Sequence, residues 1–265
     1  MKYILLTYSL LMLAVHGMAQ RDYQDGQAWL LADSVNLRLS PVDGEIVARL
    51  PIASELKVVQ RAEAPFDQWL KVTYTEGEET ASGFLLERFV AEEVHIDKKT
   101  SNIFLFGTIK MRKGEYGSIP IVQLRVANNN MELARTEIEG IHNDGFYTEL
   151  WDDGRGLDSV RNILTIDFAQ NCCACPTGKI YFFWTGSTFV KAFAVYDGSD
   201  VPYFGATALI FPNDNGGLWN TVIHLNYIGH YNDDDGPEII EHVKTTFHYW
   251  DTEKIKITSS FIADE

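Results

Sequence analysis

Tyr181-Phe182-Phe183-Trp184-Thr185-Gly186, followed closely by Phe189-Val190-Lys191, reads as an aromatic strand ending in tryptophan, a tight turn and a second strand. The same order returns in Phe247-His248-Tyr249-Trp250-Asp251-Thr252 and Ile255-Lys256-Ile257. Aromatic and β-branched runs punctuated by Gly, Asp and Thr are the signature of hairpins. Each copy is preceded by an acidic glycine loop and a strand. Asp152-Asp153-Gly154-Arg155-Gly156-Leu157 leads into Asn162-Ile163-Leu164-Thr165-Ile166, and Asp214-Asn215-Gly216-Gly217-Leu218 leads into Thr221-Val222-Ile223-His224-Leu225. Trp184 and Trp250 lie 66 positions apart, Asp152 and Asp214 62, which predicts two units of about 60 residues.

Strand-type runs recur on both sides of these blocks: 103–109, 119–126, 146–151, 162–168, 180–184, 189–195, 207–211, 221–231, 239–250 and 255–261. No amphipathic helical period of useful length accompanies them. The chain is therefore expected to be all-β, with residues 102–265 forming a large antiparallel domain, a sandwich or a propeller-like sheet stack. Its blocks loosely resemble the loop-and-hairpin units of bacterial propeller-like repeat proteins. Two copies are too few to close a propeller, so a duplicated sandwich or open sheet stack fits the length better.

Residues 28–93 follow a shorter rhythm. Val35-Asn36-Leu37-Arg38-Leu39-Ser40-Pro41, Gly44 to Pro51, Leu56-Lys57-Val58-Val59, Trp69-Leu70-Lys71-Val72-Thr73-Tyr74 and Ser82-Gly83-Phe84-Leu85 predict five strands in a small barrel. These ordered blocks closely resemble the bacterial SH3-like domain, over about a quarter of the chain. The resemblance implies binding of cell-wall peptide or glycan, or of a protein partner, without catalysis. Phe84 stands where that family usually has tryptophan, and residues 62–68 lengthen the preceding loop. Trp69, Tyr74 and Phe84 are the candidate ligand-binding aromatics, since flat side chains give contact area at low entropic cost. The competing expectation is that Trp69 and Phe84 fill the core. Residues 94–101 are polar enough to read as a linker.

Two patterns point to metals. Asn232-Asp233-Asp234-Asp235-Gly236 packs oxygen ligands into a turn, which suits calcium. Its spacing differs from the Asp-x-Asp-x-Asp-Gly loop, so Asp233, Asp234 and Asp235 read first as a solvated hairpin tip. Asp152, Asp153 and Asp158 form a weaker candidate of the same kind. The strands flanking the tip carry His224 and His230, then His242 and His248, all at even positions and hence on one face each. A register with His230 opposite His242 also puts His224 opposite His248, two pairs suited to a transition metal. A two-residue slip breaks both pairs.

Met1 to Ala19 has the parts of a cleavable signal peptide: Lys2, the apolar run from Tyr3 to Val15, and small residues before a cut after Ala19. The run is shorter than the roughly 20 residues that span a bilayer, so release into a periplasm or the medium is expected, without stable membrane insertion. In that oxidising setting two of Cys172, Cys173 and Cys175 should pair, as Cys172 to Cys175 or as a vicinal bond. A helix N-terminus to activate a thiol is not expected there.

The formal net charge of −15, spread along the chain with no visible basic face, argues against a nucleic-acid partner. No serine-triad elbow, phosphate loop or His-Glu-x-x-His appears. The expected function is that of an exported, non-enzymatic binding protein of the cell envelope with no obligatory cofactor. The alternatives are an envelope hydrolase targeted by the barrel, and a calcium-binding structural or adhesive protein.

Overall fold

The computed structural model describes residues 26–114, 117–139, 145–169, 177–200, 203–231 and 238–264. The segment expected to be a signal peptide, Cys172, Cys173 and Cys175, and the expected tip residues Asp233, Asp234 and Asp235 lie outside the described residues. The chain is all-β, as its strand runs predict: three antiparallel sheets, and no α-helix among the described residues.

The first sheet comprises β1 (Gln27–Trp29), β2 (Val35–Arg38), β3 (Ile46–Leu50), β4 (Glu55–Arg61), β5 (Trp69–Glu76) and β6 (Glu79–Leu86), in the order β1-β4-β5-β6-β2-β3. All six strands contribute to one core, built on Ala28, Leu37, Leu50, Leu56, Val72 and Leu85 among others. Period-two alternation puts Leu70, Val72 and Tyr74 of β5 on the core side. β6 starts earlier than the Gly83 expected from sequence. A two-residue turn at Gly77 (φ +60°) and Glu78 pairs Glu76 with Glu79. Gly83 has a separate role: a Cβ there would lie 2.5 Å from the Arg38 carbonyl oxygen, and its absence lets β2 close onto β6 at the Arg38–Phe84 pair.

The expected linker over 94–101 is corrected by the structure. Val94, His95 and Ile96 belong to β7 (Glu93–Ile96), which pairs with β8 (Ile103–Gly114) in a four-stranded sheet completed by β9 (Gly117–Asn128) and β10 (Met131–Glu139). Only residues 97–102 turn. There the carboxylate of Asp97 accepts hydrogen bonds from the Lys99 backbone N–H and the Thr100 hydroxyl. Leu31, Ile52, Ala53 and Ala91 share a buried cluster with Leu105 and Ala127, so the first sheet is packed onto the second rather than tethered to it.

The third sheet is an eight-stranded meander in sequence order: β11 (Gly145–Trp151), β12 (Asn162–Ala169), β13 (Thr177–Trp184), β14 (Phe189–Asp200), β15 (Tyr203–Ile210), β16 (Thr221–Tyr231), β17 (Glu238–Trp250) and β18 (Ile255–Asp264). It is two four-stranded meanders in series, and in each the first strand is followed by an acidic glycine loop, a strand, a tryptophan-ended strand, a tight turn and a strand. Among the described residues they join through three β14–β15 pairs, Gly198–Gly205, Ser199–Phe204 and Asp200–Tyr203. Beyond these pairs the second meander folds back over the first, so that Phe183, Phe193 and Phe211 share a core with Val222 and Trp250. The opposite face of the first meander buries Leu164, Ile166, Ile180 and Phe182 against Phe106, Val122 and Leu124 of the four-stranded sheet. Residues 102–264 are therefore a stack of three sheet layers, not a radial propeller arrangement.

Candidate functional site

On the face of the first sheet away from its core, register places Ile46, Arg38, Phe84 and Lys71 in one row across four adjacent strands. Phe84 is half-buried between the two cationic side chains. Arg38 is held by donation from its guanidinium to the Gly44 carbonyl oxygen at 2.9 Å. Trp69 lies on the same face of β5 as Lys71 but is only 7 % exposed, so it is not itself a contact surface. Tyr74, five residues on, points to the core side, where burial pushes its phenol pKa up. Of the three aromatics expected to bind ligand, Trp69 is buried, while Phe84 and Tyr74 are half-buried and lie on opposite faces.

The four histidines take the slipped register. His224 stands opposite Thr246 and His248 opposite Val222, while a bulge at Ile228 and Gly229 puts His242 opposite Ile228 and His230 opposite Ile239. His230 and His242 thus do not stand opposite each other, and His230 Nδ1 lies 2.9 Å from Glu241 Oε1. The slip leaves His224 and His248 diagonal neighbours, with ring centroids 5.7 Å apart and planes inclined by 31°. The edge of Phe193 meets His248 at 5.1 Å between centroids.

The two acidic glycine loops are occupied by each other. Arg155 is ion-paired with Asp214 and stacks over Trp151 and Phe211 at 4.7 and 5.6 Å from the ring centroids. The Asp158 N–H donates to Asn220 Oδ1 at 2.8 Å, and the indole N–H of Trp250 donates to the Asp158 carbonyl at 2.7 Å. Asp153 accepts from the Arg155 backbone N–H. The calcium candidate at Asp152, Asp153 and Asp158 is therefore corrected: these carboxylates do not converge, and the loop's central cation is Arg155. Among the described residues no three or more His, Cys, Asp or Glu side chains converge as a metal group.

One further concavity was not legible in the sequence. A groove of about 450 Å³ at the open end of the first meander is lined by Phe146, Tyr147, Asp167, Phe168, Lys179 and Asp197, among others. Lys179 Nζ lies 3.2 Å from Asp167 Oδ1, without the alignment of a hydrogen bond. Asp197 accepts the Thr207 backbone N–H. Tyr181, on the same face, has its phenol pushed up to about 12, first by burial and then by Asp167, Asp197 and Glu149. At neutral pH it is a donor, not a base.

Comparison with family models, with curated proteins and with solved structures returns no match. The assignment of function therefore rests on the side chains described above.

Three histidines give the fold an acid limit. Burial lowers the pKa of His95, whose Nε2 lies 2.7 Å from the Thr148 hydroxyl oxygen. Burial also lowers those of His224, assisted by Lys244, and of His248, assisted by His224. Below the ordinary value of 6.5 the unfolded chain binds protons that the folded chain refuses. Stability is therefore complete above pH 6.5 and falls as the pH drops below it toward the lowered folded-state values, by up to about 1.4 kcal/mol per pH unit for each histidine. Urea midpoints at pH 7.5, 6.5 and 5.5 should show this fall. The combined His95→Gln, His224→Gln, His248→Gln variant should flatten it, and an unchanged slope would refute the assignment.

Proposed function

We propose that the protein is an exported, non-enzymatic binding protein of the cell envelope, and that its first sheet is an SH3-like barrel engaging cell-wall peptide or glycan, or a protein partner. The observation that carries this reading is the cross-strand row Ile46, Arg38, Phe84 and Lys71. In a chain of net charge −15, it sets two cations on either side of an aromatic ring on a rigid sheet. The ring offers apolar contact, and the cations suit carboxylates such as those of cell-wall peptides.

Retention of the protein on purified cell-wall sacculi tests the reading. Phe84→Ala and Lys71→Glu are each expected to weaken retention about tenfold, the scale of an interface anchor worth more than 1 kcal/mol. Added salt should weaken the wild type further and the Lys71→Glu variant less. Failure of the wild type to bind, or retention indifferent to both substitutions, would remove the proposal.

A further inference from the structure

The histidine pair of the second meander lies in a different layer from the barrel row and carries an independent inference. His224 and His248 sit where the inner face of β16 and β17 passes from core to solvent. Val222 and Trp250 are fully buried on one side of them, and Asn226 and Lys244 are exposed on the other. Each ring is half-buried, yet Nε2 of both is buried and has no hydrogen-bond partner. A neutral imidazole has one N–H and one lone pair, and a buried polar atom left unmatched carries an uncompensated desolvation cost. Two such atoms on neighbouring rings are costly for a pair that any apolar residues could replace. Two other histidines of the chain do have partners: His95 meets Thr148 and His230 meets Glu241.

We propose that His224 and His248 form a two-imidazole site for one divalent transition ion of the zinc or copper class, bound through their Nε2 atoms. Imidazole nitrogen suits these ions, at Nε2 distances of about 2.0–2.1 Å. Two rings sharing such an ion have their centres about 5–6 Å apart by that geometry, and the observed separation is 5.7 Å. The Phe193 edge against His248 limits that ring's freedom, and the hydroxyls of Thr246 and Ser260, on the same face, engage each other at 3.2 Å. Water completes the coordination from the side of Asn226 and Lys244. The Lys244 ammonium is exposed, where solvent screens its repulsion of the ion.

The test is titration of the full chain with Cu²⁺ and with Zn²⁺ at pH 7.5, read by copper electron paramagnetic resonance and by the zinc-induced rise in melting temperature. One ion per chain is expected, with two nitrogen ligands. His224→Gln and His248→Gln should each weaken binding at least tenfold, while a His230→Gln, His242→Gln double variant should bind as the wild type does. The wild-type protein gives a readout that does not depend on a variant folding: zinc should shift the Nε2 nitrogen resonances of His224 and His248 and leave those of His230 and His242 in place. Absence of uptake, uptake that survives both single substitutions, or zinc-induced shifts confined to other histidines would each overturn the proposal. So would Nε2 resonances of His224 and His248 that stay unmoved because a water or a shared proton already satisfies them.

Discussion

Trp250→Ala is expected to destabilise the protein by about 3–5 kcal/mol, the cost of emptying a fully buried tryptophan site, and its equivalent in the first meander separates packing from hydrogen bonding. Trp184 and Trp250 each end the third strand of a meander, and both are fully buried. Trp184 packs edge-on to Phe104 in the four-stranded layer, and Trp250 packs edge-on to Phe183 in the first meander. They differ at the indole nitrogen. Trp250 Nε1 donates to the Asp158 carbonyl at 2.7 Å, whereas Trp184 Nε1 is buried without a partner. A Phe substitution removes similar volume at either site. At Trp250 it also forfeits a hydrogen bond worth about 1 kcal/mol, and at Trp184 it relieves an unmatched donor costing about 1–3 kcal/mol. Trp250→Phe should therefore be less stable than Trp184→Phe by at least about 2 kcal/mol in urea denaturation at pH 7.5. Equal midpoints would show that the indole N–H contributes nothing at either place.

The succession of elements in the meanders was open to sequence reading because each strand announces itself. Aromatic residues crowd β13 and β17, and Gly186 and Thr252 sit at positive φ in the turns that follow the tryptophans. β10 was hidden for the opposite reason. Met131-Glu132-Leu133-Ala134-Arg135-Thr136-Glu137-Ile138-Glu139 is an edge strand with mostly exposed side chains, held by pairing to β9 and by Arg125 bonding to Glu132. Its charges protect an edge and carry no strand signal of their own.

The sites divide in the same way. Trp69 and Tyr74 are an odd number of residues apart in one strand, so their separation onto two faces was already implied by alternation. The row through Arg38, Phe84 and Lys71 needed the pairing of β2 with β6, which Gly83 permits and no local pattern reveals. The two-residue slip sets the pairings of His224, His242 and His248, and one bulge changes that of His230. At Gly229 a Cβ would lie 2.2 Å from the Ile239 carbonyl oxygen, and sequence periodicity does not see that approach. A slip of two residues keeps every side chain on its face, which is why both registers fitted the alternation.

The contact between the acidic glycine loops should rank next to Trp250 in its effect on stability. Asp214 does two things: Oδ1 pairs with Arg155 of the other loop, and Oδ2 accepts the Phe211 backbone N–H at 2.9 Å, fixing its own turn. Hydrogen bonds to a charged group contribute about 1.5–3 kcal/mol each when sheltered, and the Asp214 and Arg155 side chains are only 24 % and 34 % exposed. Asp214→Ala is accordingly expected to cost about 2–4 kcal/mol, since it also leaves the guanidinium over Trp151 and Phe211 without its counter-ion. Arg155→Ala loses the same ion pair together with its stacking on those rings, worth about 0.5–1 kcal/mol for each contact. The double variant should cost less than the two single losses added, with a coupling of about 1–3 kcal/mol read from urea midpoints. Millimolar calcium should not restore Asp214→Ala, because the loop's cation is supplied by the chain itself. Strict additivity would mean that Asp214 and Arg155 act independently, leaving the fold-back of the second meander to the aromatic core and to the Asp158 hydrogen bonds with Asn220 and Trp250.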